Sequence, residues 1–130
     1  MDRYFLNTSF LLAFIDSDDD HHQKSREIMG KIRDEEVYIS DRVFTETVNT
    51  IFSRFDHSDA ENFSDYLRKS GINILHTNSV TFSMASELFE SEKVSFTDCS
   101  IIALMKALNI EKLCTFDSDC RDFENIEIVN

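Results

Sequence analysis

The sequence predicts an α/β fold, with a mostly parallel central sheet of four to five strands covered by helices. Short runs rich in aromatic and branched residues alternate with longer segments of helical periodicity. The runs are Tyr4 to Leu6, Val37 to Ile39, Ile72 to Leu75, Lys112 to Phe116 and Ile126 to Val129. That alternation is the pattern of parallel strands joined by crossover helices. A second observation concerns the ends of these segments. Asn7-Thr8-Ser9, Thr97-Asp98 and Asp117-Ser118-Asp119 put oxygen-bearing side chains where apolar segments stop or start. Open α/β sheets bind ligands outside the carboxyl ends of their strands.

Each element has a local reason. The strand Tyr4-Phe5-Leu6 ends on Asn7. The apolar run that follows, Phe10 to Ile15, is the longest in the chain and far too short to span a bilayer. Asp16 to Asp20 is an acidic loop ahead of a helix over about His22 to Asp34, where negative charge is favoured. It lacks the central glycine and terminal glutamate of an EF-hand. After Val37-Tyr38-Ile39, Ser40 caps a helix from about Asp41 to Phe55, with Phe44, Val48, Ile51, Phe52 and Phe55 as its apolar stripe. A helix over Asp59 to Lys69 closes on Ser70-Gly71, a natural C-cap. The strand Ile72 to Leu75 leads to a helix over Ser79 to Glu90, with Val80, Met84, Leu88 and Phe89 on one side. The helix Asp98 to Leu108 buries Ile101, Ile102, Leu104, Met105 and Leu108, and the strands Leu113 to Phe116 and Ile126 to Val129 complete the pattern. With no proline and two glycines, the turns fall to Asn, Asp and Ser.

Composition bounds the function. A chain of 130 residues with 42% apolar content is expected to form one domain, residues 1–130, with a core that needs no disulfides. The cysteines Cys99, Cys114 and Cys120 lack zinc-knuckle spacing and are expected as free or buried thiols in a reducing cytosol. The first residues lack the positive charge of a signal peptide, so a cytoplasmic protein with no membrane partner is expected. The net charge of −12 argues against nonspecific nucleic-acid binding through basic patches. A polyanionic substrate would have to be held by bound metal, a few local cations and shape. The same acidity suits a basic protein partner.

Taken singly, Asp98 is a helix cap or dipole partner worth about 0.5–2 kcal/mol, and Asp117 and Asp119 are turn residues. Their convergence on one sheet edge argues for more. Two carboxylates about 4 Å apart repel by roughly 4 kcal/mol at an effective dielectric of 20. A divalent cation relieves that repulsion, and oxygen ligands are what Mg²⁺ or Mn²⁺ prefers. Glu46 falls opposite the Phe44, Val48 and Ile51 stripe, which marks a solvated position on helical geometry alone.

Four stretches resemble the PIN domain family, most closely the compact VapC-type toxins of prokaryotic toxin–antitoxin pairs. Tyr4 to Leu12 resembles the first strand and its turn, and Phe44-Thr45-Glu46-Thr47 the glutamate-bearing helix. Ser95 to Ala103 is similar to the third acidic motif, and Cys114 to Asp119 to the fourth. The resemblance implies a three-layer α/β/α sandwich and a ribonuclease dependent on Mg²⁺ or Mn²⁺. Glu46, Asp98 and Asp117 would hold metal, Asp119 would assist, and Thr8, Thr97 or Thr115 would position a ligand or a substrate oxygen. It also implies a homodimer and a cognate antitoxin whose basic tail docks across the acidic groove. Phe55, Phe63 and Phe82 are the spare aromatics available for contacts between copies.

One residue departs from the family. Asn7 stands where the family carries an aspartate that holds the ion centrally. An amide coordinates through its carbonyl oxygen without a full charge, so ion binding and hydrolysis are both expected to weaken. An engineered exchange, a natural pseudo-nuclease that kept only binding, and an enzyme that works with asparagine all account for it. Other acid-at-strand-end folds fit less well. A phosphoacceptor receiver needs paired acids after its first strand, and a haloacid-dehalogenase-type phosphatase needs Asp-x-Asp there; Asn7-Thr8-Ser9 supplies neither. None of the four histidines belongs to a nucleophile motif. The reading outside enzymes is a binding module whose acidic pocket receives an arginine from a partner.

Overall fold

A computed structural model describes residues 1–118 and 123–130. Five strands form one sheet: β1 (Arg3–Leu6), β2 (Glu36–Ser40), β3 (Asn73–Leu75), β4 (Lys112–Cys114) and β5 (Glu127–Val129). All pairings are parallel and the order is β3-β2-β1-β4-β5. The helices are α1 (Thr8–Ile15), α2 (His22–Ile32), α3 (Asp41–Arg54), α4 (His57–Lys69), α5 (Ser79–Ser91) and α6 (Phe96–Leu108).

Order and handedness together produce three layers. The steps β1 to β2 and β2 to β3 move one way across the sheet, and β3 to β4 returns the other way. Right-handed crossovers therefore put α1–α4 on one face and α5 and α6 on the other. The packing agrees: α1 meets α2 and α3, α3 meets α4, and α5 lies along α6. The central strand β1 is covered on both faces, so Phe5 and Leu6 are each fully buried in succession, as expected of a parallel sheet. Phe10 and Leu11 from one layer and Ile101, Ile102 and Met105 from the other complete the core. Each such side chain contributes roughly 1.5–3 kcal/mol by leaving water.

Most elements lie where the sequence places them, but four expectations need correction. The apolar run after Asn7 is a helix, α1, which the sequence reading left unassigned; an all-apolar stretch of this length has no period to distinguish helix from strand. On α3 the buried stripe is Val43, Thr47 and Ile51, whereas Phe52 and Phe55 are about half exposed. On α5 the covered face is Thr81 and Ala85, leaving Val80 and Phe89 outside, and Leu108 at the end of α6 is also exposed. Phe63 is buried under α4, so it is no spare aromatic, while Phe55 and Phe82 remain at the surface. No helix among the described residues is long and apolar enough to cross a membrane.

Candidate functional site at the carboxyl edge of the sheet

The strand order reverses direction between β1 and β4, so the fold's switch point lies where those two strands end. Asn7 follows β1 directly. Its backbone N–H donates to Cys114 O at 3.0 Å, extending the ladder, while its carbonyl accepts from Phe10 and Leu11 as α1 begins. Its side chain is only 4% exposed. Oδ1 accepts from Thr8 N at 2.7 Å, and Nδ2 donates to Thr115 Oγ1 at 3.1 Å. Asn7 is thus both the N-cap of α1 and a tie to the end of β4.

Thr115, fully buried, organises the rest. Its Oγ1 accepts from Asn7 Nδ2 and from Asp117 N, both at 3.1 Å. A hydroxyl has two lone pairs and one proton. With both lone pairs used, the proton of Thr115 goes to Ser9 Oγ, 3.1 Å away. Ser9 Oγ also accepts from Phe116 N at 3.1 Å. Among the described residues the Ser9 hydroxyl proton, like the second proton of Asn7 Nδ2, is left unassigned; Ser9 is half-buried and was not among the expected site residues. Thr8 Oγ1 and Thr47 Oγ1 are buried and have no hydrogen-bond partner among the described residues.

The acids occupy two settings. Asp98 lies in the first turn of α6 and is 7% exposed. The cap of that helix is Ser95, not Asp98: Ser95 Oγ accepts from Asp98 N at 3.1 Å and donates to Asp98 Oδ2 at 3.0 Å. The fixed carboxylate reinforces burial in raising the pKa of the neighbouring Cys99 thiol. Burial alone pushes Cys114 up to about 12, so both cysteines are protonated, unreactive core groups at neutral pH. Asp117 is exposed just beyond Thr115. Asp119 and Cys120 lie outside the described residues.

Glu46 is exposed on α3, as helical geometry predicts. It lines a shallow depression of about 370 Å³ together with Asp41, Arg42, Thr45 and Thr97. Asp41 and Arg42 were not foreseen, although an acid directly after the strand-ending Ser40 was the available signal. Asp41 is committed to structure: its Oδ1 accepts from Thr77 N, Thr77 Oγ1 and Arg42 N at 3.2, 2.9 and 2.9 Å. The fold thus brings Asn7, Thr115, Ser9 and the start of the Asp117 segment into one network, and Glu46 and Thr97 into one depression.

Amide, hydroxyl and carboxylate oxygens are the donors a hard divalent cation takes, and the Thr8 hydroxyl, which has no partner among the described residues, lies next to Asn7 in the chain, so the donor chemistry fits. Among the described residues, no three acidic, histidine or cysteine side chains form a group that would hold an ion.

Comparison with known proteins agrees with this topology. The PIN domain family matches residues 4–127. No curated protein matches the chain in sequence. Among solved structures, VapC20 of Mycobacterium tuberculosis, a sarcin–ricin loop cleaving toxin, is similar with a TM-score of 0.82 and 22% identity, over 95% of this chain and 98% of that one. FitAcB of Neisseria gonorrhoeae is similar at 0.76 and 13% identity, over 98% and 96%. VapBC2 of Rickettsia felis, bound to a DNA fragment from its promoter, is similar at 0.73 and 18%, over 98% of each chain. With a family match over almost its whole length and the same fold throughout, the chain belongs to the PIN domain family.

Proposed function

We propose that this chain is the toxin of a toxin–antitoxin pair, a metal-dependent endoribonuclease whose activity is weakened or abolished by Asn7. The observation that carries the reading is the position of Asn7: buried, at the switch point of the sheet, and hydrogen-bonded across to the strand end that leads into Asp117. In this reading Asn7 Oδ1, Asp98 and Asp117 hold Mg²⁺ or Mn²⁺, with Glu46 and Asp119 completing the acidic set. When bound, the ion polarises a phosphoryl oxygen and supplies hydroxide from water for in-line attack. The chain's own part is positional. Thr115 fixes the ends of β1 and β4 relative to each other, and Ser95 orients Asp98.

The partner reading rests on charge and on the company the fold keeps. Similar structures include a toxin–antitoxin complex from Klebsiella pneumoniae and VapBC-1 from nontypeable Haemophilus influenzae. A net charge of −12 suits an antitoxin with a basic tail laid across the acidic groove. A homodimer in the cytoplasm completes the proposal, with the exposed Phe82 and Phe89, which flank Phe96 at 5.6 and 5.5 Å between ring centroids, as a contact patch.

The second reading is a catalytically dead PIN-like module that uses the pocket only to capture a basic partner. It is favoured by Asn7 itself, which offers an amide in place of the carboxylate the family carries. One assay separates the two. The chain and its Asn7→Asp variant are incubated with total cellular RNA in Mn²⁺, in Mg²⁺ and in chelator. Cleavage by the aspartate form alone, and only with metal, supports the nuclease. Intact RNA throughout leaves the binding module.

A further inference from the structure

A stack of three aromatic rings runs from the core to the surface beside the candidate site. Phe10 of α1 is fully buried, and its ring lies 5.8 Å from that of Phe116 at an interplanar angle of 15°. Phe116 is half-buried and is followed outward by His21, 4.3 Å away and tilted by only 5°. His21 is exposed. One of its faces is spent on Phe116, and the other ends the stack.

Two features make this more than a filled surface crevice. Phe116 stands between Thr115 and Asp117, and its N–H is held by Ser9 Oγ at 3.1 Å, so the stack is fixed to the network around Asn7. His21 is held by its backbone. Its N–H donates to Asp19 Oδ1 at 2.8 Å and its carbonyl accepts from Ser25 N at 2.9 Å. Its imidazole makes no hydrogen bond among the described residues and is presented as a flat ring.

We propose that the outer face of His21 is a platform on which one base of single-stranded RNA stacks, next to the site where the backbone is cut. The proposal rests on the nuclease reading and adds a substrate contact to it. Every base has a π-face, so stacking on an aromatic side chain is tolerant of sequence. It is also the contact this chain most needs, because a strongly acidic protein has little general attraction for phosphate. The acidic loop Asp16 to Asp20 adjoins His21 and repels phosphates directly, which leaves the uncharged face of a base as the group the ring can receive. Lys24, one turn along α2, is exposed and forms no ion pair among the described residues, so it is available to the neighbouring phosphate.

The test reads stacking separately from cleavage. A single-stranded RNA oligonucleotide carrying 2-aminopurine is titrated with the chain as it stands, with His21→Ala and with His21→Phe. Base stacking predicts fluorescence quenching for the parent and for His21→Phe, and roughly tenfold weaker binding with lost quenching for His21→Ala. On the Asn7→Asp background, His21→Ala is then expected to raise KM by a similar factor with little change in kcat, and His21→Phe to restore it. If neither form cuts RNA but quenching still depends on the ring at position 21, the platform stands and the nuclease reading falls. If the aspartate form cuts and His21→Ala changes neither quenching nor KM, the platform is overturned and the nuclease stands. Equal loss of kcat in the Ala and Phe variants would also overturn it, since the ring nitrogens would then be what matters. So would a parent chain that fails to bind the oligonucleotide.

Discussion

The two ends of the β1–β4 pair handle polarity in opposite ways. At the amino edge, charges meet inside the chain and in water: Lys112 Nζ lies 3.0 Å from Asp2 Oδ2, and Arg3 Nε lies 3.1 Å from Glu36 Oε2. Asp2, Arg3 and Glu36 are well exposed and Lys112 is half-buried, and surface pairs of this kind contribute little to stability. At the carboxyl edge the corresponding residues are Asn7 and Thr115, both buried, uncharged and hydrogen-bonded to each other. The same two strands therefore end in matched surface ions at one edge and in a largely buried polar network that leads into Asp117 at the other. The amino edge is self-sufficient. The carboxyl edge instead joins its two strands through uncharged, buried side chains and leads into Asp117, and it is there that the proposed cation or basic partner would bind.

The sharpest way to break this contrast is to restore charge at the carboxyl edge. Asn7→Asp is expected to raise metal-dependent RNA cleavage by on the order of 100-fold or more, because even partners one shell out from metal ligands are typically worth 10–100-fold. The same variant reverses the hydrogen-bond chain. A carboxylate only accepts, so Thr115 would turn its proton toward residue 7 and Ser9 would donate to Thr115. Divalent cation should then stabilise the variant against heat and leave the parent nearly unmoved, a difference that calorimetry with and without Mn²⁺ measures. Equal stabilisation of both would mean that residue 7 is not where the ion is held.

Thr115→Val tests the network rather than the charge. The replacement keeps shape and removes the hydroxyl, so Asn7 Nδ2 and Asp117 N both lose their acceptor. Leaving a buried donor unpaired costs about 1–3 kcal/mol, to be read from the shift in urea midpoint at constant m-value. A shift near zero would mean that the network is dispensable to the fold. Ser95→Ala ranks next. It removes the cap of α6 and the donor to Asp98 together, with an expected cost of about 1 kcal/mol. On the Asn7→Asp background it should also reduce cleavage, which a pure capping role would not do.

What could be seen in the sequence differs between the two edges for physical reasons. The sheet was legible because parallel strands buried on both faces are continuous apolar runs, and because Ser40 and Ser70-Gly71 punctuate their helices chemically. Asp98 and Asp117 were legible as acids at segment ends, and Asn7 as a departure from a familiar pattern. Helix α1 was not, since eight nearly all-apolar residues carry no periodic signal. Nor was the role of Ser9 or the stack under His21. Both depend on which side chains meet across more than ninety residues of sequence, and no local pattern encodes a contact between Ser9 and Thr115 or between His21 and Phe116. Glu46 lay between these cases: its exposure followed from the helical wheel, but its sharing of a depression with Thr97 required the fold.

The amino edge supplies the smallest expected effect and the control for all the others. The hydrogen bond from Lys112 holds Asp2 below its ordinary value of 3.8, and the same bond raises Lys112 above 10.5. A carboxylate with a depressed pKa contributes stability that is present above its unfolded value and is lost as pH falls through the folded one. An ammonium with a raised pKa contributes stability that is present below its unfolded value and is lost as pH rises through the folded one. The pair's contribution should therefore be flat across neutral pH and vanish at both extremes, below 3.8 and above 10.5. Lys112→Met should remove that plateau, leaving the parent and variant curves to converge in strong acid and strong base. Because both groups are open to solvent, the gap between the curves should be small, and cleavage by the Asn7→Asp chain should not change. If Lys112→Met instead reduced cleavage as much as Ser95→Ala does, the two edges would be coupled and the division of labour between them would not hold.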